Sequence, residues 1–166
     1  MRKSWAIPKR TFDFSAALAG LVVLSPLMLV LAVLVRATSS GPALFIQARV
    51  GRQGRVFRCA KFRTMCTGAQ AQGTVTTAAD ARVTPLGRFL RRWKLDELPQ
   101  LWNVLAGRMS FVGPRPDVPG YADRLQGDDR RILELRPGIT GPATLLFRDE
   151  ARLLKQEKNP QAFNDA

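Results

Sequence analysis

Residues 14–35 read FSAALAGLVVLSPLMLVLAVLV, 22 residues without a charge, interrupted near the middle by Ser25-Pro26. About 20 apolar residues suffice to cross a bilayer as a helix. Both flanks are basic: Arg2, Lys3, Lys9 and Arg10 precede the run and Arg36 follows it. Lys and Arg collect on the cytoplasmic side of membranes, so cations on both sides place both ends on that face. A helix that enters the bilayer, bends at Pro26 and returns satisfies length and charge together. Pro26 removes one backbone hydrogen bond and crowds the carbonyl of Val22. The Ser25 hydroxyl can satisfy that carbonyl. Two other readings stay open from the residues alone. One is a kinked helix that spans the membrane once. The other is a signal peptide, although the run exceeds the usual apolar core of roughly 7–15 residues.

The chain divides into a basic interfacial segment with the membrane helix, residues 1–36, and a catalytic domain over residues 37–166 expected on the cytoplasmic side. The second part is long enough for one modest domain. The formal charge is +13, from 26 basic and 13 acidic residues. Such an excess suits anionic partners such as phospholipid head groups, nucleotides or nucleic acid, or a solvated cationic surface. Cys59 and Cys66 are the only cysteines and there is no histidine, which argues against a zinc site and a disulfide framework.

The fold class expected is α+β. Trp5 and Phe12 suit the membrane interface. Residues 44–65 predict a β-hairpin, LFIQARV and VFRCAKFRTM joined by a GRQGR turn. Residues 67–81 predict a polar loop. Thr84 and Pro85 can open a helix whose apolar face is Leu86, Phe89, Leu90 and Trp93. A second helical phase has Leu98, Leu101, Trp102 and Leu105, closed by Gly107. Pro99 belongs in a first turn, so Asp96 and Glu97 mark the start of that new helix. Residues 110–120, with three prolines and two glycines, predict a rigid loop, and residues 136–142 a stiff turn. Residues 121–135 suggest an irregular helix and residues 150–158 a charged one. The domain is therefore expected to be small and mostly helical, with one hairpin and amphipathic helices at its surface.

Asp96 and Glu97 are adjacent acids among cations: Arg88, Arg91, Arg92 and Lys94 before them, Arg108 and Arg115 after. Amides at a helix start together with arginines form an anion site. Two acids there can hold Mg²⁺, which keeps phosphate and water in its shell. That combination is the apparatus of phosphoryl transfer, and an Asp can also act as nucleophile through an acyl phosphate. The pair can equally be helix-start acids that favour the dipole. Arg49, Arg52, Arg55, Arg58, Lys61 and Arg63 form a stretch without an acid, able to touch lipid phosphates or to be solvated. Gly113-Pro114-Arg115-Pro116 can present one rigid arginine to a base or phosphate, or can merely turn.

Taken in order, the motifs resemble those of the bacterial sugar transferases, the small monotopic phosphoglycosyl transferases. The resemblance rests on Lys9-Arg10-x-x-Asp13, Ser25-Pro26, Gly51, Lys61-Phe62-Arg63-Thr64-Met65 and Arg82-x-Thr84-Pro85-x-Gly87. It continues through Leu95-Asp96-Glu97-Leu98-Pro99-Gln100-Leu101-x-Asn103-Val104, Val112-Gly113-Pro114-Arg115-Pro116 and Arg136-Pro137-Gly138-Ile139-Thr140-Gly141. It covers nearly the whole chain.

The resemblance implies transfer of a sugar-1-phosphate from a UDP-sugar to polyprenyl phosphate (undecaprenyl phosphate in bacteria). UMP leaves, as the first membrane step of polysaccharide or glycoconjugate assembly. It implies Mg²⁺, with Asp96 as covalent nucleophile and Glu97 helping to hold the metal. It matches Arg91 and Arg148 to phosphate-binding positions and Pro114, Arg115 and Pro116 to the uridine segment. Ser25 and Pro26 match the break in a re-entrant helix, and Lys9, Arg10 and Asp13 a motif at the membrane entry. The expected place is the cytoplasmic face of the bacterial inner membrane. The phospholipid bilayer is a partner, no nucleic acid is bound, and a homodimer is allowed.

Two departures stand out: Lys94 replaces an expected Ser or Thr cap, and similar chains tend to continue beyond the point matching Ala166. The alternative functions are a membrane-anchored basic protein that binds anionic lipid or nucleic acid, and a spanning scaffold. Few aromatics lie among the arginines, which disfavours a base-stacking surface.

Overall fold

The computed structural model describes residues 6–69 and 80–142. Most of the loop expected at 67–81, the charged helix expected at 150–158, Arg148 and Trp5 lie outside the described residues. The fold is α+β. Helix α1 runs Ala6–Thr38 and is long and apolar enough to cross a membrane. Its hydrogen-bonded course continues through Ser25-Pro26, and Ser25 Oγ donates to the Val22 carbonyl at 2.8 Å, replacing the bond that Pro26 cannot make.

Strands β1 (Leu44–Val50) and β2 (Val56–Phe62) form the expected antiparallel hairpin, with Leu44 opposite Phe62 and Val50 opposite Val56. Gln53 and Gly54, both at positive φ, close the turn. Helix α2 (Pro85–Arg92) is capped as the sequence predicts: Thr84 Oγ1 accepts from the Gly87 amide at 2.9 Å, with Pro85 in the first turn. A single 3₁₀ turn, Leu95–Glu97, then leads to α3 (Gln100–Leu105). Residues 121–135 form two 3₁₀ segments, Ala122–Arg124 and Gly127–Glu134, rather than an α-helix.

One expectation is corrected. The stretches read as a rigid loop and a stiff turn contain β3 (Ser110–Val112) and β4 (Gly138–Thr140), which pair in parallel. The close approach depends on glycine. A Cβ on Gly113 would meet the Arg136 carbonyl, and one on Gly138 the Gly113 amide. Three residues per strand are too few for alternation to show in sequence.

Helix α1 docks on this domain along a stripe from Arg10 to Val35. Ala17 packs with Phe57, Cys59, Val104 and Met109. Further along, Leu31 and Val35 pack with Phe62 and Leu90. Leu101 of α3 fits against Gly20. A third cluster, Val50, Ala122 and Leu133, seats the 3₁₀ segments at the end of the hairpin. The rest of α1 is bare: Val22, Val23, Leu29 and Val33 are each more than half exposed. Such an apolar exterior is costly in water and suits lipid.

Candidate active site

The site is built where α2, the 3₁₀ turn and strand β2 converge. Asp96 is buried, and its Oδ1 has no hydrogen-bond partner. Lys61 Nζ, from β2, stands 3.7 Å from Glu97 Oε1. Arg91, in the last turn of α2, donates from Nε to Thr64 Oγ1 at 2.8 Å. Gly87 lets α2 lie directly on the chain at Thr64, where a Cβ would collide with the Thr64 carbonyl. Lys94 takes a left-handed conformation (φ 56°) and provides no side-chain cap to the turn. Helix α3, which follows the turn, is itself tied to β2. The side chain of Asn103, buried between α3 and β2, accepts from the Ala60 amide at 3.1 Å and donates to the Arg58 carbonyl at 2.7 Å.

The electrostatics follow from this packing. Burial pushes the Asp96 carboxyl above the ordinary carboxylate range, and the adjacent Glu97 charge pushes the same way. Lys61, Arg91 and Lys94 oppose that rise. Arg91 is itself pulled below its usual value by desolvation, countered by Asp96 and Asp80. Asp80 is tied to Arg82 by an ion pair at 2.6 Å. The result is an anionic pair enclosed by cations, with one carboxylate oxygen left unsatisfied.

Pro114 and Arg115 lie in a different place, lining a small cleft of about 50 Å³ with Gly51, Asp117 and Leu135, and Pro116 follows them in the same loop. Arg49 of β1 braces that loop. Its Nη1 donates to the Pro116 carbonyl at 3.0 Å and its Nη2 to Gln47 Oε1 at 2.7 Å. Its charge also acts on Glu97, Arg115 and Asp117. The Val50 amide adds a bond to the Asp117 carbonyl at 2.8 Å.

The three residues expected at membrane entry are built into the domain. Asp13 is buried and accepts from Ser110 Oγ at 2.9 Å and the Phe111 amide at 3.3 Å. Lys9 contacts Asp13, Ser110 and the Val112 carbonyl. Arg10 donates to the Val104 and Leu105 carbonyls, where the negative end of α3 favours a cation. Ser25 and Pro26 lie in the exposed middle of α1, away from all of these.

Sequence reasoning did not single out Lys61, Thr64, Arg49 or Ser110 for the site. The hairpin alternation was the available signal, because Arg49, Cys59 and Lys61 share one face of the register. Much of the acid-free cation stretch is structural. Arg52 donates to the Glu134 carbonyl at 2.9 Å, and buried Arg63 to Ser39 at the end of α1.

The bacterial sugar transferase family model matches residues 4–160. Over 149 residues the chain is 42% identical to the UDP-N-acetylgalactosamine-undecaprenyl-phosphate N-acetylgalactosaminephosphotransferase of Aeromonas hydrophila, covering 86% of this chain and 34% of that protein. It is 40% identical over 156 residues to the undecaprenyl-phosphate galactose phosphotransferase of Salmonella typhimurium, covering 84% and 33%. It is 36% identical over 157 residues to the exopolysaccharide production protein ExoY of Sinorhizobium fredii, covering 85% and 70%. The chain thus spans about a third of the length of the first two relatives. With a model match over nearly its whole length, this chain belongs to the bacterial sugar transferase family.

Proposed function

We propose that the protein transfers a sugar-1-phosphate from a UDP-sugar to polyprenyl phosphate at the cytoplasmic membrane face, through a covalent intermediate on Asp96. The observation that carries this reading is the buried, unsatisfied Asp96 Oδ1 beside Glu97, with Lys61, Arg91 and Lys94 around it. The names of the relatives, which specify undecaprenyl-phosphate sugar phosphotransferases, point the same way.

In the first half-reaction an Asp96 carboxylate oxygen attacks the phosphorus that bears the sugar. A new O–P bond forms as the bond from that phosphorus to the bridging oxygen breaks, and UMP departs with the electron pair. In the second half-reaction a polyprenyl phosphate oxygen attacks the same phosphorus, forms the diphosphate and releases Asp96. Arg91 and Lys61 offset charge on the phosphoryl oxygens. Arg115 and the flanking prolines contact the nucleotide. Arg148 is a further phosphate contact in this reading.

Among the described residues no group of three His, Cys, Asp or Glu side chains gathers to hold a metal. Asp96 and Glu97 fit a cation that needs only one or two carboxylates and completes its shell with phosphate and water, as Mg²⁺ does. When bound, such an ion would neutralise diphosphate charge.

The same domain grips both ends of α1, through Asp13 and Arg10 at one end and Val35 and Ser39 at the other. Docking of both ends on one domain supports a helix that bends near Ser25-Pro26 within one leaflet and returns. A site held at the head-group level can then meet both a water-soluble nucleotide and a lipid phosphate.

The test is a panel of UDP-sugars assayed for UMP release with Mg²⁺ and polyprenyl phosphate, followed by intact-mass analysis of protein incubated with the accepted donor alone. The expected product is a sugar-phosphate adduct on the peptide holding Asp96. Turnover without any such adduct, or full turnover by Asp96→Asn, would overturn the covalent route.

A further inference from the structure

We infer that Arg58 and Arg108 form a head-group clamp for an anionic phospholipid, separate from the candidate active site. The two arginines line a groove of about 620 Å³ with Ala48, Val56 and Phe57. Its walls hold two guanidinium groups, no acid, and an apolar strip. That is the complement of a phosphodiester joined to a greasy glycerol backbone, as in phosphatidylglycerol.

The groove lies on the far side of the hairpin from the acids. Arg58, Ala48 and Val56 occupy the even register of β1 and β2, whereas Lys61, Cys59 and Arg49 occupy the odd register that faces the site. The two sites also sit at opposite ends of α3. Asp96 and Glu97 precede that helix and Arg108 follows it.

One end of the groove, at Arg108, lies near the start of the membrane helix. Phe57 alternates onto the opposite face of the hairpin from Arg58 and there packs with Ala17, within the uncharged run of α1. Arg10, at the entry of α1, holds the last carbonyls of α3, and its guanidinium reaches Gly107, next to Arg108. Asn103 ties the Arg58 backbone to α3 and accepts the Arg108 amide on its own carbonyl. The Arg108 end of the groove is therefore held next to Arg10, at the start of α1. Arg58 and Arg108 are both exposed. Solvent-facing arginines near an anionic membrane surface gain roughly fivefold in affinity for each cation.

The test uses the full chain, delipidated in detergent and titrated with phosphatidylglycerol, phosphatidylcholine or undecaprenyl phosphate, with bound lipid counted by native mass spectrometry. The wild type is expected to retain phosphatidylglycerol over phosphatidylcholine. Arg58→Ala with Arg108→Ala is expected to lose roughly 25-fold in phosphatidylglycerol affinity. Arg55→Ala, which removes an exposed cation of the hairpin turn, is expected to keep it. Circular dichroism confirms that the variants are folded. The clamp is refuted by any of three results: unchanged phosphatidylglycerol binding in the double variant, an equal loss in Arg55→Ala, or a loss confined to undecaprenyl phosphate. UMP release plays no part in this readout, so the clamp and the proposed reaction stand or fall separately.

Discussion

Lys61 Nζ lies 3.7 Å from Glu97 Oε1, on the strand that faces the acid pair, and its charge also favours ionisation of the adjacent Asp96. One cation from the hairpin thus serves both carboxylates. In the proposed reaction Asp96 attacks as the carboxylate, and burial and Glu97 hold its carboxyl above the ordinary range. Lys61→Met removes a charge that counters this rise. The acidic limb of the rate profile should move to higher pH, with UMP release falling roughly tenfold at neutral pH and partly recovering in more alkaline buffer. Lys61→Arg should keep the limb near its original place. An unmoved limb in Lys61→Met would separate Lys61 from the ionisation of Asp96.

The same burial makes Asp96 a stability liability. Its folded-state pKa lies above its unfolded value. The folded protein therefore binds the proton more tightly, and stability falls as pH rises from about 3.9 through the raised folded value. Asp96→Asn should remove that dependence and raise the melting temperature at neutral pH. UMP release should drop on the order of 10³-fold or more. Thermal melts of both proteins between pH 4 and 8 check the sign. A lower melting temperature for Asp96→Asn at pH 8 would contradict it.

Local chemistry made much of this fold legible. The Thr84-Pro85 start, the GRQGR turn and the break before Asp96 each depend on a few adjacent residues, and each lies where the sequence puts it. Asp96 and Glu97 were legible because acids among so many cations are conspicuous. Lys61 and Arg49 were not, because their roles depend on hairpin register and on the loop at Pro116, far along the chain. Asp13 was expected at the membrane surface but is buried against Ser110, a partner 97 positions away that no local pattern announces. The β3–β4 pair was hidden for the same reason: its strands are short and its contact is glycine backbone on glycine backbone.

Gly87 tests how tightly the site is packed. A methyl group there meets the Thr64 carbonyl, which is backbone and has no rotamer to give. Gly87→Ala should cost about 2 kcal/mol, lowering the melting temperature by roughly 4–8 °C. The shift of Thr64 would also disturb its 2.8 Å bond from Arg91, so activity should fall beyond the loss of folded protein. A Gly87→Ala protein with wild-type melting and turnover would show that α2 can move freely off Thr64.

Arg49 ties β1 to the Pro114–Pro116 loop, and its planar fork makes two bonds at once, to Pro116 and to Gln47. Arg49→Ala removes the side-chain tie between β1 and the loop and leaves the Val50–Asp117 backbone bond. It should raise the KM for the UDP-sugar roughly tenfold with a smaller change in kcat, the signature of lost ground-state positioning. Lysine offers a single point charge and should rescue only part of the effect. If kcat fell and KM did not, Arg49 would act on the chemical step rather than on the nucleotide loop.

The docking of both α1 ends on one domain makes a prediction about membrane faces. Ile7 is exposed near the start of the helix and Ser40 just beyond its end. With the exposed native thiol Cys66 replaced by Ser, Ile7→Cys and Ser40→Cys should each react with a membrane-impermeant maleimide in inverted vesicles and resist it in intact cells. A helix that crossed once would split the pair, one position reacting on each side. The hydrogen bonds argue against that split. Asp13 and Arg10 at one end and Ser39 at the other bond to a domain bearing exposed cations such as Arg58 and Arg108. Such a domain cannot straddle a hydrocarbon layer without burying unpaired charge.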